Sequence, residues 1–302
     1  MVFNSNRYLR FFAILLVIVT TLALGRFSSA DEPLFEPDFF AFETGFANAA
    51  SKQPSDLVRL VDESGFDGVE LMGLAKVEPF LPLLKERDLK IHSLYLKLDL
   101  DQPEQPVDAT WSTVIERYGD DLHYVWFHVS SRQFARSDPS GDDRCVKILR
   151  ELADQVASKG IKIGIYHHVG DWAEKFSDAV RVARKVDREN VGAVFNLCHY
   201  LKISGPDNLE KELKDAFPHV ILVSINGADD GHTTSMGWDR LIQPLGQGSF
   251  DVARVLGVLK DCGYQGPIGL QGYGVREKPE DFFPRSVEAY KSLLSKVNQA
   301  AN

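Results

Sequence analysis

Histidine is the first residue type in this sequence that points to chemistry. Five of the eight histidines stand at or just after the end of short apolar runs, in positions 128, 167, 168, 199 and 232. An imidazole changes charge near neutral pH and also ligates metal ions, so it suits proton transfer and metal binding alike. Other polar side chains stand in comparable places, namely Glu70, Asn196, Asn226 and Gln271.

Proton transfer is the role that we expect for His168 and His199. Neighbouring side chains of an extended chain point to opposite faces, so only one of His167 and His168 can face a common site. We predict that it is His168, because this residue begins the loop. Lys202 follows His199 closely and, if it points inward, would stabilise an oxyanion.

Substrate binding is the role that we expect for the remaining candidates, which are Glu70, His128, Asn196, Asn226, Trp238 and Gln271. Amide side chains can hold hydroxyl groups, and an indole can cover the apolar face of a sugar. Trp238 lies in a long polar segment, residues 226–248, which we expect to pack over the site, since so long a loop in a compact domain is usually functional or disordered. The alternatives are a solvated loop and, for Glu70, a purely structural hydrogen bond.

Eight apolar runs alternate with amphipathic stretches along the chain. The runs predict strands over residues 39–43, 68–71, 90–96, 122–128, 161–167, 191–196, 220–225 and 267–271. The stretches predict helices over residues 54–64, 77–87, 109–118, 142–158, 173–186, 208–216, 250–260 and 280–297. Continuous apolar strands separated by helices indicate a parallel sheet covered on both faces.

A single (β/α)₈ barrel is therefore the predicted fold, with the polar candidates gathered at the C-terminal ends of its strands. An open doubly wound sheet is the alternative. That fold typically carries a glycine-rich phosphate turn after an early strand, and the sequence has none.

The first thirty residues predict a secretory signal peptide. Arg7 and Arg10 precede an apolar run over residues 11–24, and Ser28 to Ala30 form a small-residue cleavage site. The run is short for a membrane span, although an uncleaved anchor is the alternative. We therefore expect residues 31–302 to form one exported domain, periplasmic or extracellular, with no membrane span after cleavage.

The charge of the chain bears on its partners. The full sequence has 34 basic and 43 acidic side chains, and residues 1–30 carry three of the basic ones and no acid, so residues 31–302 have a net charge of −12. Such a surface repels phosphate backbones, which disfavours nucleic acid. A small-molecule substrate remains, and the sequence leaves homo-oligomers open.

Five segments resemble the xylose-isomerase-like superfamily of TIM barrels in their order and spacing. They are residues 65–71, 166–170, 196–199, 244–251 and 263–268. This superfamily includes sugar and sugar-phosphate isomerases and epimerases, inosose dehydratase and apurinic endonucleases. The resemblance implies a TIM barrel that acts on a sugar.

The resemblance also implies a divalent metal ion held by carboxylates and a histidine, and here the sequence departs from the pattern. Asn196 stands in place of the aspartate after strand six, Gln271 in place of the glutamate of strand eight, and residues 224–226 in place of the strand-seven histidine. Hard cations prefer anionic oxygen. The expectation is therefore no certain cofactor, with a weakly held Mn, Co, Zn or Mg ion on His168, Asn196, His199 and Gln271 as the alternative.

Two functions follow from these residues. The first is an exported sugar isomerase, epimerase or lyase that abstracts a proton next to a carbonyl of a sugar or keto-sugar. The second is a non-catalytic sugar-binding barrel that has lost its metal site. The histidines favour the enzyme, since recognition alone needs no titratable ring, whereas the loss of both carboxylates favours the binding protein.

Overall fold

The computed structural model describes residues 34–300, and these form a closed barrel of eight parallel strands in chain order, which confirms the predicted fold. The strands are β1 Phe39–Ala41, β2 Gly68–Met72, β3 Lys90–Asp99, β4 Leu122–Ser130, β5 Lys162–Tyr166, β6 Val191–Asn196, β7 Val220–Ile225 and β8 Ile268–Leu270. The helices are α1 Pro54–Ser64, α2 Val77–Lys85, α3 Trp111–Tyr118, α4 Asp142–Val156, α5 Phe176–Val186, α6 Leu197–Ser204, α7 Leu209–Ala216, α8 Trp238–Leu241, α9 Ala253–Asp261 and α10 Pro279–Gln299.

Two apolar cores follow from the alternation of side chains along the strands. The larger core lies between the strands and the helices. The smaller core fills the barrel and consists of Phe40, Phe42, Trp126, Tyr166, Val194 and Leu222, all buried. Since the barrel interior is packed with side chains, a ligand can bind only at its mouth.

Helix α6 was missed by the sequence prediction, which placed a loop after β6. Asn196 ends β6 and caps α6, because its Oδ1 accepts the backbone N–H of His199 at 3.1 Å. An asparagine in this position satisfies one of the free N–H groups of the first helical turn. His199 and Lys202 thus lie three residues apart on the same side of one helix.

Several strand ends differ from the prediction by a few residues. β1 ends at Ala41 and a 3-10 turn, Glu43–Asn48, follows it, while β5 ends at Tyr166 and β8 at Leu270. His167 and Gln271 therefore begin loops instead of ending strands, while His168 lies in the loop as predicted. Loops after the strands surround the barrel mouth, and His168 and Gln271 line the cavity there, whereas His167 is buried away from it.

The segment 226–248 is packed and ordered by its own contacts. Gly227 pairs with Gln243 in an antiparallel bridge, and Asp229 and Arg240 form an ion pair at 2.8 Å. The amide nitrogen of Asn226 donates to the carbonyl of Leu241 at 2.7 Å. These contacts fix α8, and with it Trp238, over the barrel mouth.

The predicted signal peptide, residues 1–30, lies outside the described residues. Within residues 34–300, no helix is both long and apolar enough to cross a membrane. All three cysteines lie in this part of the chain and are free thiols.

Candidate active site

A cavity of about 350 Å³ opens at the C-terminal ends of the strands. Its apolar and aromatic wall consists of Phe42, Met72, Tyr95, Trp238, Ile242 and Tyr273. Its polar wall consists of Thr44, Glu70, Tyr166, His168, His199 and Gln271. The volume suits one small ligand, and no arginine or lysine of the described residues belongs to the lining.

Glu70 of β2 is the acidic side chain of this cavity. It is 1% exposed, and its Oε2 has no hydrogen-bond partner among the described residues. Burial raises the pKa of Glu70 well above 4.5, and the nearby Glu43 carboxylate raises it further. Glu70 is thereby favoured in its neutral form, which can donate a proton into the cavity.

His168 and His199 form an imidazole pair, with ring centroids 4.4 Å apart. Burial lowers the pKa of His168, and it lowers that of His199 well below 6.5. Both rings are therefore neutral at pH 7. The Nδ1 atom of His199 accepts the backbone N–H of Val169 at 3.4 Å, which places the ring hydrogen on Nε2 and makes His199 a donor.

Asp171 lies beside the other ring of the pair. Its Oδ2 is hydrogen-bonded to Nδ1 of His128 at 2.8 Å and lies 3.5 Å from Nδ1 of His168, which has no hydrogen-bond partner among the described residues. The nearby negative charge favours the His168 tautomer that carries hydrogen on Nδ1, which leaves the Nε2 lone pair free to accept a proton. Sequence reasoning did not select Asp171, although an aspartate three residues after His168 was the available signal.

Asn196 lies behind the cavity with all its hydrogen-bonding capacity used. Its Oδ1 accepts from the backbone of His199 and from the thiol of Cys198 at 3.0 Å. Its Nδ2 donates to the hydroxyl of Tyr166 at 2.7 Å and to that of Ser224 at 2.6 Å. The helix cap requires an acceptor, so the amide is fixed with its NH₂ group toward Tyr166 and Ser224.

Gln271, on the other side of the barrel, is also held in one orientation by hydrogen bonds to its amide oxygen. Its Oε1 accepts the hydroxyl of Thr44 at 2.8 Å and the backbone N–H of Tyr273 at 2.9 Å. With the oxygen engaged, its NH₂ group is the part that is free to donate into the cavity.

A divalent ion does not fit these residues. The resemblance expected carboxylate oxygens at 196 and 271, but amide N–H groups take their place, and a cation is not coordinated by N–H donors. Among residues 34–300, no group of three His, Cys, Asp or Glu side chains is arranged to hold a metal. The combination of His168, Asn196, His199 and Gln271 therefore offers two imidazoles and no charge to balance the ion.

Besides Asn196, three sequence-selected side chains lie outside the cavity lining. The ammonium of Lys202 donates to the carbonyl of Met236 at 2.7 Å and lies 5.9 Å from the ring centroid of Trp238. Asn226 holds Leu241 in the same segment, and His128 stacks on Tyr95 at 5.0 Å. Lys202 and Asn226 thus place the 226–248 segment, and His128 supports Asp171.

Eight lining residues were not selected from the sequence, and four of them carry a hydroxyl group, namely Thr44, Tyr95, Tyr166 and Tyr273. Tyr166 lies at the base of the cavity. Tyr166 was the first residue of the 166–170 motif, but its direction depends on where β5 ends.

Residues 58–293 match the family model described as xylose isomerase-like TIM barrel, so the chain belongs to this family, as the resemblance predicted. A 3-dehydroshikimate dehydratase of Pseudomonas aeruginosa is 25% identical over 246 residues, which cover 80% of this chain and 35% of that protein. An inosose isomerase of Halalkalibacterium halodurans is 22% identical over 150 residues, which cover 49% of this chain and 51% of that protein. The chain thus spans about a third to a half of these curated relatives.

Three solved structures of the same fold match this chain over nearly their full length. The IOLI protein with a bound zinc atom has a TM-score of 0.68 at 17% identity, covering 87% of this chain and 98% of that one. The 3-keto-D-glucoside 4-epimerase YcjR from E. coli has a TM-score of 0.65 at 18% identity, and the match covers 85% of this chain and 100% of that one. A xylose isomerase-like TIM barrel protein from Mycobacterium smegmatis in complex with magnesium has a TM-score of 0.64 at 18% identity, and the match covers 88% of this chain and 98% of that one. At these identities the likeness shows the fold alone.

Proposed function

We propose that this protein is a keto-sugar epimerase that works by acid–base catalysis without a metal ion. The observation that carries the proposal is that one cavity holds both a buried Glu70, whose pKa is raised, and His168, whose pKa is lowered. Groups whose surroundings push their pKa values in opposite directions are the usual mark of an acid and a base.

The reaction begins at the carbon next to the ketone. Nε2 of His168 takes the proton from this carbon, and the electron pair of the broken C–H bond moves to the carbonyl oxygen, giving an enolate. Glu70 then donates its proton to the same carbon, and the carbonyl re-forms. Glu70 regains a proton, and His168 loses one, by exchange with water after product release.

Inversion at the carbon follows from where the two groups stand. Glu70 lies on β2 and His168 follows β5, three strands away around a closed barrel of eight. A substrate between them is deprotonated from one side and reprotonated from the other. This arrangement favours epimerisation over isomerisation or elimination, which share the first step.

A neutral substrate fits the lining better than an anionic one. The described lining has no arginine or lysine to pair with a carboxylate or phosphate. Its aromatic wall, with Trp238 and Tyr273, suits the apolar face of a sugar ring. Among the substrates that the names of the relatives mention, an inosose and a 3-keto-D-glucoside are neutral ketones, whereas 3-dehydroshikimate is a carboxylate.

The test is hydrogen exchange in D₂O with a panel of inosose, a 3-keto-D-glucoside, D-fructose and 3-dehydroshikimate, followed by NMR. We expect deuterium to enter next to the carbonyl of a neutral keto-sugar, in an epimer of the starting compound, and not in 3-dehydroshikimate. His168→Ala is expected to lose at least about 100-fold of this rate. His232→Ala changes an exposed histidine of the 226–248 segment and serves as the matched control.

A sugar-binding barrel without catalysis is the second candidate, and the replacement of both expected carboxylates by Asn196 and Gln271 favours it. In that case the keto-sugars raise the melting temperature of the protein without any exchange of their hydrogens. Exchange by the wild-type protein that is lost in His168→Ala excludes this candidate.

Export belongs to the same proposal. We propose that residues 1–30 are removed as a signal peptide and that residues 31–302 act in the periplasm or outside the cell, as the basic start and apolar run support. N-terminal sequencing of protein recovered from cell fractions tests this. A mature start at Asp31 in the exported fraction is the expected result, and an intact Met1 in the cytoplasmic fraction contradicts it.

A further inference from the structure

We infer that Tyr166 is a catalytic hydrogen-bond donor, which polarises the substrate carbonyl and stabilises the enolate oxygen. The inference rests on the proposed function and assigns the electrophilic role that no other residue has so far been given. A donor aimed at a developing oxyanion is a large contribution to enolisation chemistry.

The oxygen of Tyr166 already accepts a hydrogen bond from the protein. Nδ2 of Asn196 donates to it at 2.7 Å, and this direction is fixed because Oδ1 of Asn196 caps α6. Gln271 lines the same cavity, and its engaged oxygen leaves its NH₂ group free to donate there. Because the NH₂ group of Asn196 cannot accept a hydrogen bond, the phenol proton is not used in this contact and stays free to be shared.

The proton of Tyr166 stays on the hydroxyl. The side chain is 2% exposed, and burial raises the pKa of Tyr166 well above 10. The phenol therefore keeps its proton at neutral pH. Within the described residues, no protein acceptor is hydrogen-bonded to this proton, so the cavity is where it finds one.

The position of Tyr166 suits this role. It ends β5, directly before His167 and the base His168, and it lines the cavity beside the ring of His199 at 5.6 Å between centroids. Asn196, one of the two residues that stand in place of metal carboxylates, is hydrogen-bonded to its hydroxyl, and the other, Gln271, lines the same cavity. A neutral hydrogen-bond donor thus lies beside residues at which the resemblance implied metal-binding carboxylates.

The experiment is isotope-edited infrared spectroscopy of inosose that carries ¹³C at its carbonyl. The spectra are recorded on His168→Ala protein, in which the bound ketone stays unreacted. We expect the carbonyl band to shift to lower frequency on binding, and this shift to be lost when Tyr166→Phe is added. Tyr264→Phe removes another buried hydroxyl, which donates to Pro267 at 2.8 Å away from the cavity, and is the matched control that keeps the shift.

Asn196→Asp gives a second and sharper variant, because it keeps the shape of the side chain and the cap of α6. A carboxylate oxygen facing the phenol accepts its proton, so Tyr166 remains but no longer donates into the cavity. We expect this variant also to lose the shift. With His168 present, both variants are expected to lower kcat by about 100-fold, with KM changed by less than about threefold.

The outcomes separate this inference from the proposed function. Equal band shifts with and without Tyr166, in protein that binds the ketone, overturn the role of Tyr166 and leave the proposed function standing. Wild-type protein that neither binds nor exchanges inosose or a 3-keto-D-glucoside overturns the proposed function and this inference with it.

Discussion

At the scale of single residues, the chemistry depends on surroundings more than on residue type. Glu70 is a common carboxylic acid, but complete burial beside Glu43 favours its neutral form. His168 is partly buried, which lowers its pKa, and the carboxylate of Asp171 lies 3.5 Å from its Nδ1. One acid and one base in the same cavity are what epimerisation requires.

Glu70→Gln separates the two half-reactions. Since His168 still removes the proton, we expect deuterium exchange next to the carbonyl to continue, while formation of the epimer falls by about 100-fold or more because the second proton donor is gone. NMR of the products in D₂O measures both. Epimer formation at the wild-type rate would show that Glu70 is not the acid.

The pH dependence of kcat/KM tests the same pair. His168 must be neutral, and its lowered pKa places the acidic limb below pH 6.5, whereas Glu70 must be protonated, and its raised pKa places the alkaline limb above pH 4.5. Removing the negative charge of Glu43 lowers the pKa of Glu70, so Glu43→Gln is expected to move the alkaline limb to lower pH. An alkaline limb at the same pH in Glu43→Gln and in the wild type would argue against Glu70 as the group that titrates there.

The sequence predicted part of this site. Glu70, His168, His199 and Trp238 could be selected because they follow apolar runs or lie in the long loop, and all four line the cavity. Tyr166 and Asp171 could not, because their roles depend on which way a ring and a carboxylate point. Hydrogen-bond directions of this kind come from the end of β5 and the cap of α6, which the sequence pattern does not fix.

At the scale of elements, the 226–248 segment positions Trp238, and Gly248 is the point where it packs most closely. Gly248 has a φ of +82°, and a Cβ there would meet the carbonyl oxygen of Ala228 at 2.0 Å. Neither the conformation nor the space admits another side chain. The segment therefore depends on this glycine.

A pair of glycine variants tests that dependence. We expect Gly248→Ala to lower the free energy of unfolding by at least 1–3 kcal/mol, roughly the range for a strained backbone, and to weaken keto-sugar binding through Trp238. Gly257→Ala in α9 meets no atom within 4 Å and is expected to add up to about 1 kcal/mol. Urea unfolding of both compares them, and equal effects would refute the tight packing.

The elements themselves were largely predictable. Pro54 begins α1 and Gly65 ends it with a φ of 84°, as helix signals predict, and the eight apolar runs became the eight strands. Helix α6 escaped prediction because only eight residues separate Asn196 from Gly205, with an apolar pattern too short to show a period. That omission mattered, because α6 carries His199.

At the scale of the whole molecule, buried histidines link stability to pH. Burial lowers the pKa of His92 to about 4 and that of His167 to about 3. Because these values lie below the ordinary 6.5, the stability that neutral histidines contribute is complete above pH 6.5 and is lost as the pH falls toward the folded values. The loss at pH 5 is about 2 kcal/mol for each such histidine.

His167→Gln isolates one of these histidines, since an amide oxygen can still accept the backbone N–H of Asn196 that His167 binds at 3.1 Å. We expect the variant to be less stable at pH 7.5, with a slope of unfolding free energy between pH 6 and 5 that is shallower by about 1.2 kcal/mol per pH unit. Exposed His232→Gln is expected to keep the wild-type slope. An unchanged slope in His167→Gln would place the titration elsewhere.

The central claim, that the barrel performs acid–base chemistry without a metal ion, is tested most directly by deuterium exchange after chelation. The purified protein is stripped with chelator and then assayed with its best neutral keto-sugar, alone and with Mn²⁺, Co²⁺, Zn²⁺ or Mg²⁺ added. The account predicts full exchange by the stripped protein, with no gain in rate or melting temperature from any of the four ions. Exchange that disappears on stripping and returns with one of these ions would contradict it.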